Sequence, residues 1–271
     1  MTTKVQTLVW YLRRPRLLPD MLNLLARRWG LRKRSALNDT REAATTWCIS
    51  CAVDVNTAVT KVTGRPAPRS VRSEFPEVFA EADHRATSCP VSMGGGASVD
   101  LLYWLSEHLE ARRVVETGVA YGWSSLAFLL SLQHRSGSHL ISTDRPYIGS
   151  ESDLYAGCVV PQELRSQWSI LQYADRQALP AALKRSHPID ICHYDSDKSY
   201  EGRMWAYPRM WKALRRGGLL VSDDVGDNIA FQNFCQMVDA TPVVVNLQSK
   251  YAGLLVRSSD PPGLSSPLAQ K

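Results

Sequence analysis

The apolar positions fall into two regimes along the chain. After Pro19, Met21, Leu22, Leu25 and Trp29 recur at helical spacing beside Leu24, with Arg27, Arg28 and Lys33 interleaved, which predicts a basic amphipathic helix. A second helical stripe runs from an N-cap at 38–40 to Gly64, with Ala44, Trp47, Cys48, Cys51, Ala52, Val55, Val59 and Val62 on one side. Pro66 and Pro68 end it, so the boundary of the main domain is expected near residue 75. From residue 98 onward, short apolar runs alternate with amphipathic ones. Helices are predicted at 98–112, 124–132, 161–167, 204–214 and 229–238. Strands are predicted at 113–116, 139–143, 169–172, 189–194 and 218–222, with 242–246 and 252–256 pairing as a terminal hairpin. Such alternation implies an α/β fold with a mostly parallel, doubly wound sheet, whose ligands bind at the carboxyl ends of the strands.

Composition changes this picture little. With 44% hydrophobic and 21% charged residues, the 271-residue chain is that of an ordinary globular protein with ample core. It contains no apolar run long enough to span a bilayer. Arg13, Arg14, Arg16 and Asp20 interrupt any signal-peptide pattern, so a cytoplasmic location is expected. Charge is more informative. Residues 1–34 hold nine basic side chains against one acid, Asp20, so this arm carries +8 and the rest −2 of the overall +6. A basic pI would suggest nucleic acid only if the charge covered a folded domain, and here it does not. The arm is instead suited to contact with an anionic membrane surface, or to packing on its own domain with a solvated basic face. The chain is thus read as a basic helical arm (1–75), a catalytic domain (76–257) and a disordered tail (258–271) rich in proline and serine. Cys48 and Cys51 form a C-x-x-C pair. Zinc would need two further ligands and only His84 and Cys89 lie nearby, so core packing is the favoured reading.

The chemistry should lie at the strand ends. The first strand runs into Glu116-Thr-Gly118-Val119-Ala-Tyr-Gly122-Trp-Ser124, a turn whose glycines let the backbone approach a ligand at a helix N-terminus. The second ends at Asp144, placed to accept both hydroxyls of a ribose, and Asp175 and Arg176 follow the third. The fourth gives Asp195-Ser-Asp197-Lys198, and the fifth Asp223-Asp224. Each acid alone reads as a solvated loop residue. Together, on successive strand ends, they suit one nucleoside ligand.

These residues resemble the class I S-adenosylmethionine-dependent methyltransferases from about Cys89 to Arg257. More narrowly they resemble the cation-dependent small-molecule O-methyltransferases, which include the catechol and caffeoyl-coenzyme A types and the bacterial sugar O-methyltransferases. The resemblance implies a Rossmann-like seven-stranded sheet with a terminal antiparallel hairpin, plus N-terminal helices. It implies that Glu116, Gly118, Val119, Gly122 and Ser124 surround the methionine part of the cofactor, that Asp144 holds the ribose, and that Asp175 and Arg176 flank the adenine. Ser92-Met93-Gly94-Gly95-Gly96 is similar to the loop that closes over the cofactor. Asp195, Asp223 and Asp224 fall on the positions that bind a divalent cation, and an all-oxygen set of this kind suits magnesium.

On that resemblance, the metal binds and orients an acceptor hydroxyl and Lys198, with a depressed pKa, removes its proton. Asp197 is the alternative base. His193, inside a strand, is expected to be buried and structural. The expected partner is a sugar or phenolic small molecule, with no nucleic acid, and a homo-oligomer is compatible with the chain. Two other readings stay open. One is a metal-independent methyltransferase whose acids only line the acceptor pocket. The other is an inactive, membrane-associated binding protein on the same core.

Overall fold

A computed structural model describes residues 4–19, 21–22, 40–248 and 250–258. The amphipathic pattern at 21–29 and the tail beyond 258 therefore lie almost wholly outside the described residues. Seven strands form one sheet: β1 (Arg113–Thr117), β2 (His139–Thr143), β3 (Trp168–Leu171), β4 (Ile189–Tyr194), β5 (Leu214–Ser222), β6 (Val243–Asn246) and β7 (Tyr251–Val256). Their order is β3-β2-β1-β4-β5-β7-β6. β1 to β5 pair in parallel, while β7 runs antiparallel to both β5 and β6. This is the expected doubly wound sheet closed by an antiparallel hairpin. Its central strands are apolar on both faces because helices cover both, so they read as continuous runs rather than alternations.

The helices are α1 (Lys4–Leu12), α2 (Thr40–Cys51), α3 (Val55–Thr63), α4 (Val71–Glu74), α5 (Pro76–Thr87), α6 (Val99–His108), α7 (Trp123–Leu132), α8 (Ser152–Tyr155), α9 (Asp175–Ser186), α10 (Tyr200–Ala213) and α11 (Ala230–Met237). α7 is buried on every side, which explains its lack of polar residues beyond small serines. The segment 161–167 forms a 3-10 turn, Gln162–Gln167.

The single helix expected over 38–64 is two helices. Asp54 stops the first and caps the second, accepting from Thr57 N at 3.0 Å. The break frees Val53 to add to the sheet edge, donating to Val244 O at 2.9 Å while its own carbonyl accepts from Asn246 N at 2.8 Å. Ala58 and Val59 of α3 join the same core as α6, α7 and β1. Cys48 is buried, but Cys51 is exposed, contrary to the expected apolar stripe. The described residues contain no group of three His, Cys, Asp or Glu side chains placed to hold a metal ion.

Candidate active site

The turn after β1 needs glycine at two positions. Gly118 (φ 81°) and Gly122 (φ 96°) are both left-handed. A Cβ on Gly118 would run into the carbonyl oxygen of Asp195, and one on Gly122 would stand 2.8 Å from the Cα of Gly157. The turn is therefore pressed against the loop that follows β4. Val119 N donates to Asp144 Oδ1 at 2.9 Å, tying the end of β1 to the end of β2. Asp144 is buried, and burial pushes its pKa from 3.8 up to about 6 despite the N–H groups of Val119 and Ala120.

Above these strand ends opens a cavity of about 1030 Å³. Ligand cavities run to roughly 1000 Å³, so this one accommodates a nucleoside and a second small molecule together. Of the residues singled out in the sequence, Gly118, Val119, Ser124, Asp144, Asp175, Arg176, Asp195, Asp197, Lys198 and Asp224 reach its wall. Glu116, Gly122 and Asp223 do not. Glu116 lies beneath the floor, where its Oε2 accepts from Ser125 Oγ at 2.5 Å and Ser142 Oγ at 2.7 Å. Its other oxygen stands 3.5 Å from Nδ1 of the fully buried His193. Burial alone would lower the His193 pKa, but Glu116, Asp223 and Asp195 outweigh it and raise the value. Glu116 thus braces the floor from beneath.

Past the end of β3, Asp175 is half-buried and accepts from Ser196 Oγ at 2.5 Å; burial raises its pKa. Arg176 stacks on Trp205 at 5.0 Å from the ring centroid, with Arg209 on the same ring at 4.4 Å. The Gly94–Gly96 segment forms part of the wall and is pinned by tyrosines. Gly94 N donates to Tyr147 Oη at 3.1 Å and Met93 N to Tyr121 Oη at 3.2 Å.

At the other end, carboxylates meet ammonium groups. Lys198 Nζ bridges Asp195 and Asp224, the second bond measuring 2.6 Å, and Lys250 Nζ contacts Asp223 Oδ2 at 2.8 Å. Behind them the fully buried Arg203 donates from Nη2 to the carbonyls of Asp223 at 3.1 Å and Asp224 at 2.8 Å. These bonds hold Asp224 in a left-handed conformation, φ 53°, that a non-glycine residue rarely adopts. Burial and repulsion from Asp223 raise the Asp195 pKa, against the pull of Lys198. Burial would lower the Lys198 pKa, yet Asp195 and Asp224 outweigh it, so the group stands above its ordinary value and is a cation at neutral pH. Between these two carboxylates Lys198 is held as the ammonium, the form that must lose its proton before it can serve as a base.

The arrangement does not fit a divalent cation as it stands. Asp195 and Asp224 converge on an ammonium nitrogen, while the third carboxylate is turned to Lys250. No three potential ligands are grouped for a metal among the described residues. Lys198, Lys250 and Arg203 supply three positive charges beside the three carboxylates. The resemblance-based metal role of Asp195, Asp223 and Asp224 therefore meets a cluster already balanced by side chains.

Lys250, Trp205 and Tyr147 line the cavity without having been singled out in the sequence. Lys250 belongs to the β6–β7 turn, 27 positions from Asp223, and a lone basic residue in a hairpin turn carries no local signal. Trp205 could have been found from its flanking arginines, since 205 and 209 lie one helical turn apart.

Residues 115–225 match the model of a family described as a methyltransferase domain. No curated protein matches the chain. Among solved structures, the chain is similar to cofactor-bound Rv0187 from MTB, at 18% identity over 70% of this chain and 95% of that one, with a TM-score of 0.52. It is also similar to a methyltransferase from Geobacter sulfurreducens, at 20% identity over 70% and 93%, with a TM-score of 0.51. At such identities the likeness is one of fold. The matched segment runs from β1 to just past β5, so a methyltransferase domain is what this part of the chain is similar to, and the solved structures add a likeness of fold over about 70% of the chain.

Proposed function

We propose that the protein transfers the methyl group of S-adenosylmethionine to a hydroxyl of a small molecule, a sugar, glycoside or phenol. The observation that carries this reading is that one cavity joins a nucleoside end, with Asp144, Asp175 and Arg176, to an acid–ammonium end, with Asp195, Lys198 and Asp224. The residues fit the cofactor. A buried carboxylate, Asp144, stands at the end of β2 for ribose hydroxyls, and Gly118 and Val119 of the turn after β1 line the same cavity.

When bound, S-adenosylmethionine supplies an electrophilic methyl on a sulfonium. The protein's own work is to position and deprotonate the acceptor. Asp195, whose raised pKa makes it the more basic carboxylate, accepts the hydroxyl proton as the oxygen–carbon bond forms. Lys198 stays protonated and stabilises the negative charge that develops on that oxygen. Arg203 and Lys250 hold Asp223 and Asp224 so that the pair keeps its place. In-line alignment within the cavity supplies the rest.

This reading assigns to two ammonium groups the positive charge that a divalent cation provides in the enzymes the sequence resembles. A cation could enter only if Lys198 withdrew from between Asp195 and Asp224. The test is methyl transfer from labelled S-adenosylmethionine to a panel of glycosides, sugar nucleotides and catechols, with excess chelator or added magnesium. Turnover on a hydroxyl acceptor that persists in chelator and is lost in Asp195→Asn supports the proposal. Turnover that vanishes with chelator and returns with magnesium would restore the metal-dependent reading. No transfer to any hydroxyl class would remove the activity itself.

A further inference from the structure

α1 is seated on the domain by one face and bare on the other. On the inner side Trp10, Tyr11 and Leu17 form a small buried cluster. Trp10 Nε1 donates to Ser150 O at 2.7 Å, Arg14 grips Asp153 through two bonds of 2.8 and 3.1 Å, and Arg16 reaches Gln172 Oε1 at 3.0 Å. These anchors fix the helix against the segment 147–153, whose first two residues, Tyr147 and Ile148, belong to the cavity wall. α1 and the turn after it are thus attached beside the cavity wall.

The outer side is apolar. Leu8 and Leu12, one helical turn apart, are 49% and 62% exposed. Leu154, directly after the anchoring Asp153, is 70% exposed. Single exposed leucines need no explanation, but these lie on one anchored helix and the turn it grips. Arg13 is exposed next to Leu12, and the first 34 residues carry +8.

We propose that this face docks on an anionic lipid bilayer, holding the cavity mouth close to the membrane surface. Charge decides between occupants. Arg14 and Arg16 are held by Asp153, so the headgroups are offered Arg13 and the five bases that the sequence carries at 27–34. A second copy would set two such basic stretches against each other, whereas anionic headgroups complement them while Leu8, Leu12 and Leu154 enter the acyl boundary. The proposal is independent of the reaction assigned above, because lipid binding is read without turnover.

The experiment is co-flotation of the full chain with vesicles of phosphatidylcholine and phosphatidylglycerol, against phosphatidylcholine alone, with wild type and Leu8→Asp/Leu12→Asp. S-adenosylhomocysteine affinity serves as the check on folding. Wild type should float with the anionic vesicles only and be released by salt. The double variant should bind them at least about tenfold more weakly with unchanged affinity for S-adenosylhomocysteine. Equal binding by the double variant, or no preference for phosphatidylglycerol, would overturn the proposal. So would a wild-type dimer, seen by light scattering, that fails to float and becomes monomeric in the variant. If the double variant does not fold, Leu154→Asp in the same assay must still weaken flotation for the proposal to stand.

Discussion

Asp144 should set cofactor affinity and apo stability in opposite directions. Its carboxylate is 7% exposed and accepts from Val119 N, and its pKa stands at about 6 against an ordinary 3.8. The difference is about 2 units, so keeping Asp144 ionised at pH 8 costs the folded apo protein on the order of 3 kcal/mol. A group whose folded pKa is raised contributes its stability fully below 3.8 and loses it as pH rises through about 6. Asp144→Asn removes the charge and should therefore raise apo stability at pH 8 by about 1–3 kcal/mol. The same change weakens the acceptor offered to ribose hydroxyls. Hydrogen bonds to a charged group are worth about 1.5–3 kcal/mol, so S-adenosylhomocysteine should bind roughly 10- to 100-fold more weakly. In wild type the affinity should fall by about tenfold per unit as pH drops below 6, and in the variant it should be flat. Isothermal titration from pH 5 to 8, paired with chemical denaturation of the apo forms, measures both effects. Wild-type affinity in Asp144→Asn, or a wild-type affinity that ignores pH below 6, would refute the reasoning.

Three further outcomes are expected. Gly118→Ala forces a left-handed residue against the Asp195 carbonyl, so it should lower stability by about 2–4 kcal/mol and abolish S-adenosylhomocysteine binding, read by thermal denaturation with and without ligand. Arg203→Met strips the carbonyls of Asp223 and Asp224 of their donor and should destabilise by about 3 kcal/mol, with turnover falling more than cofactor affinity; equal losses in both would place Arg203 outside the acceptor end. The raised pKa of His193 means that its stabilising pairing with Glu116 is fully present below pH 6.5 and fades as pH rises through the higher folded value. The gap in denaturation midpoint between wild type and His193→Gln should therefore narrow with rising pH, and a gap that widens would contradict the charged pairing.

Much of the frame was legible because parallel strands buried on both faces are continuous apolar runs. β1, β2 and β4 fall within a residue or so of their expected spans. α9 carries a helical stripe, Ala178, Leu179, Ala182 and Leu183, but Pro180 stands inside it and reads locally as a helix breaker, which hid it. The helix break at Asp54 was hidden by an apolar stripe that continues across it, and local capping by Asp54 outweighed that stripe. The acids at the strand ends were legible as a set because topology brings strand ends together. Their partners were not. Lys250 meets Asp223 across 27 residues and Arg14 meets Asp153 across 139, and neither pairing leaves a trace in local sequence.

The central claim is that a single cavity presents S-adenosylmethionine to a hydroxyl held at Asp195 and Lys198. A crystal structure with S-adenosylhomocysteine tests it most directly. The account predicts ribose hydroxyls on Asp144, adenine beside Asp175 and Arg176, and the sulfur directed at the Asp195–Lys198–Asp224 cluster. A cofactor bound with its sulfur turned away from that cluster, or bound outside this cavity, would contradict it.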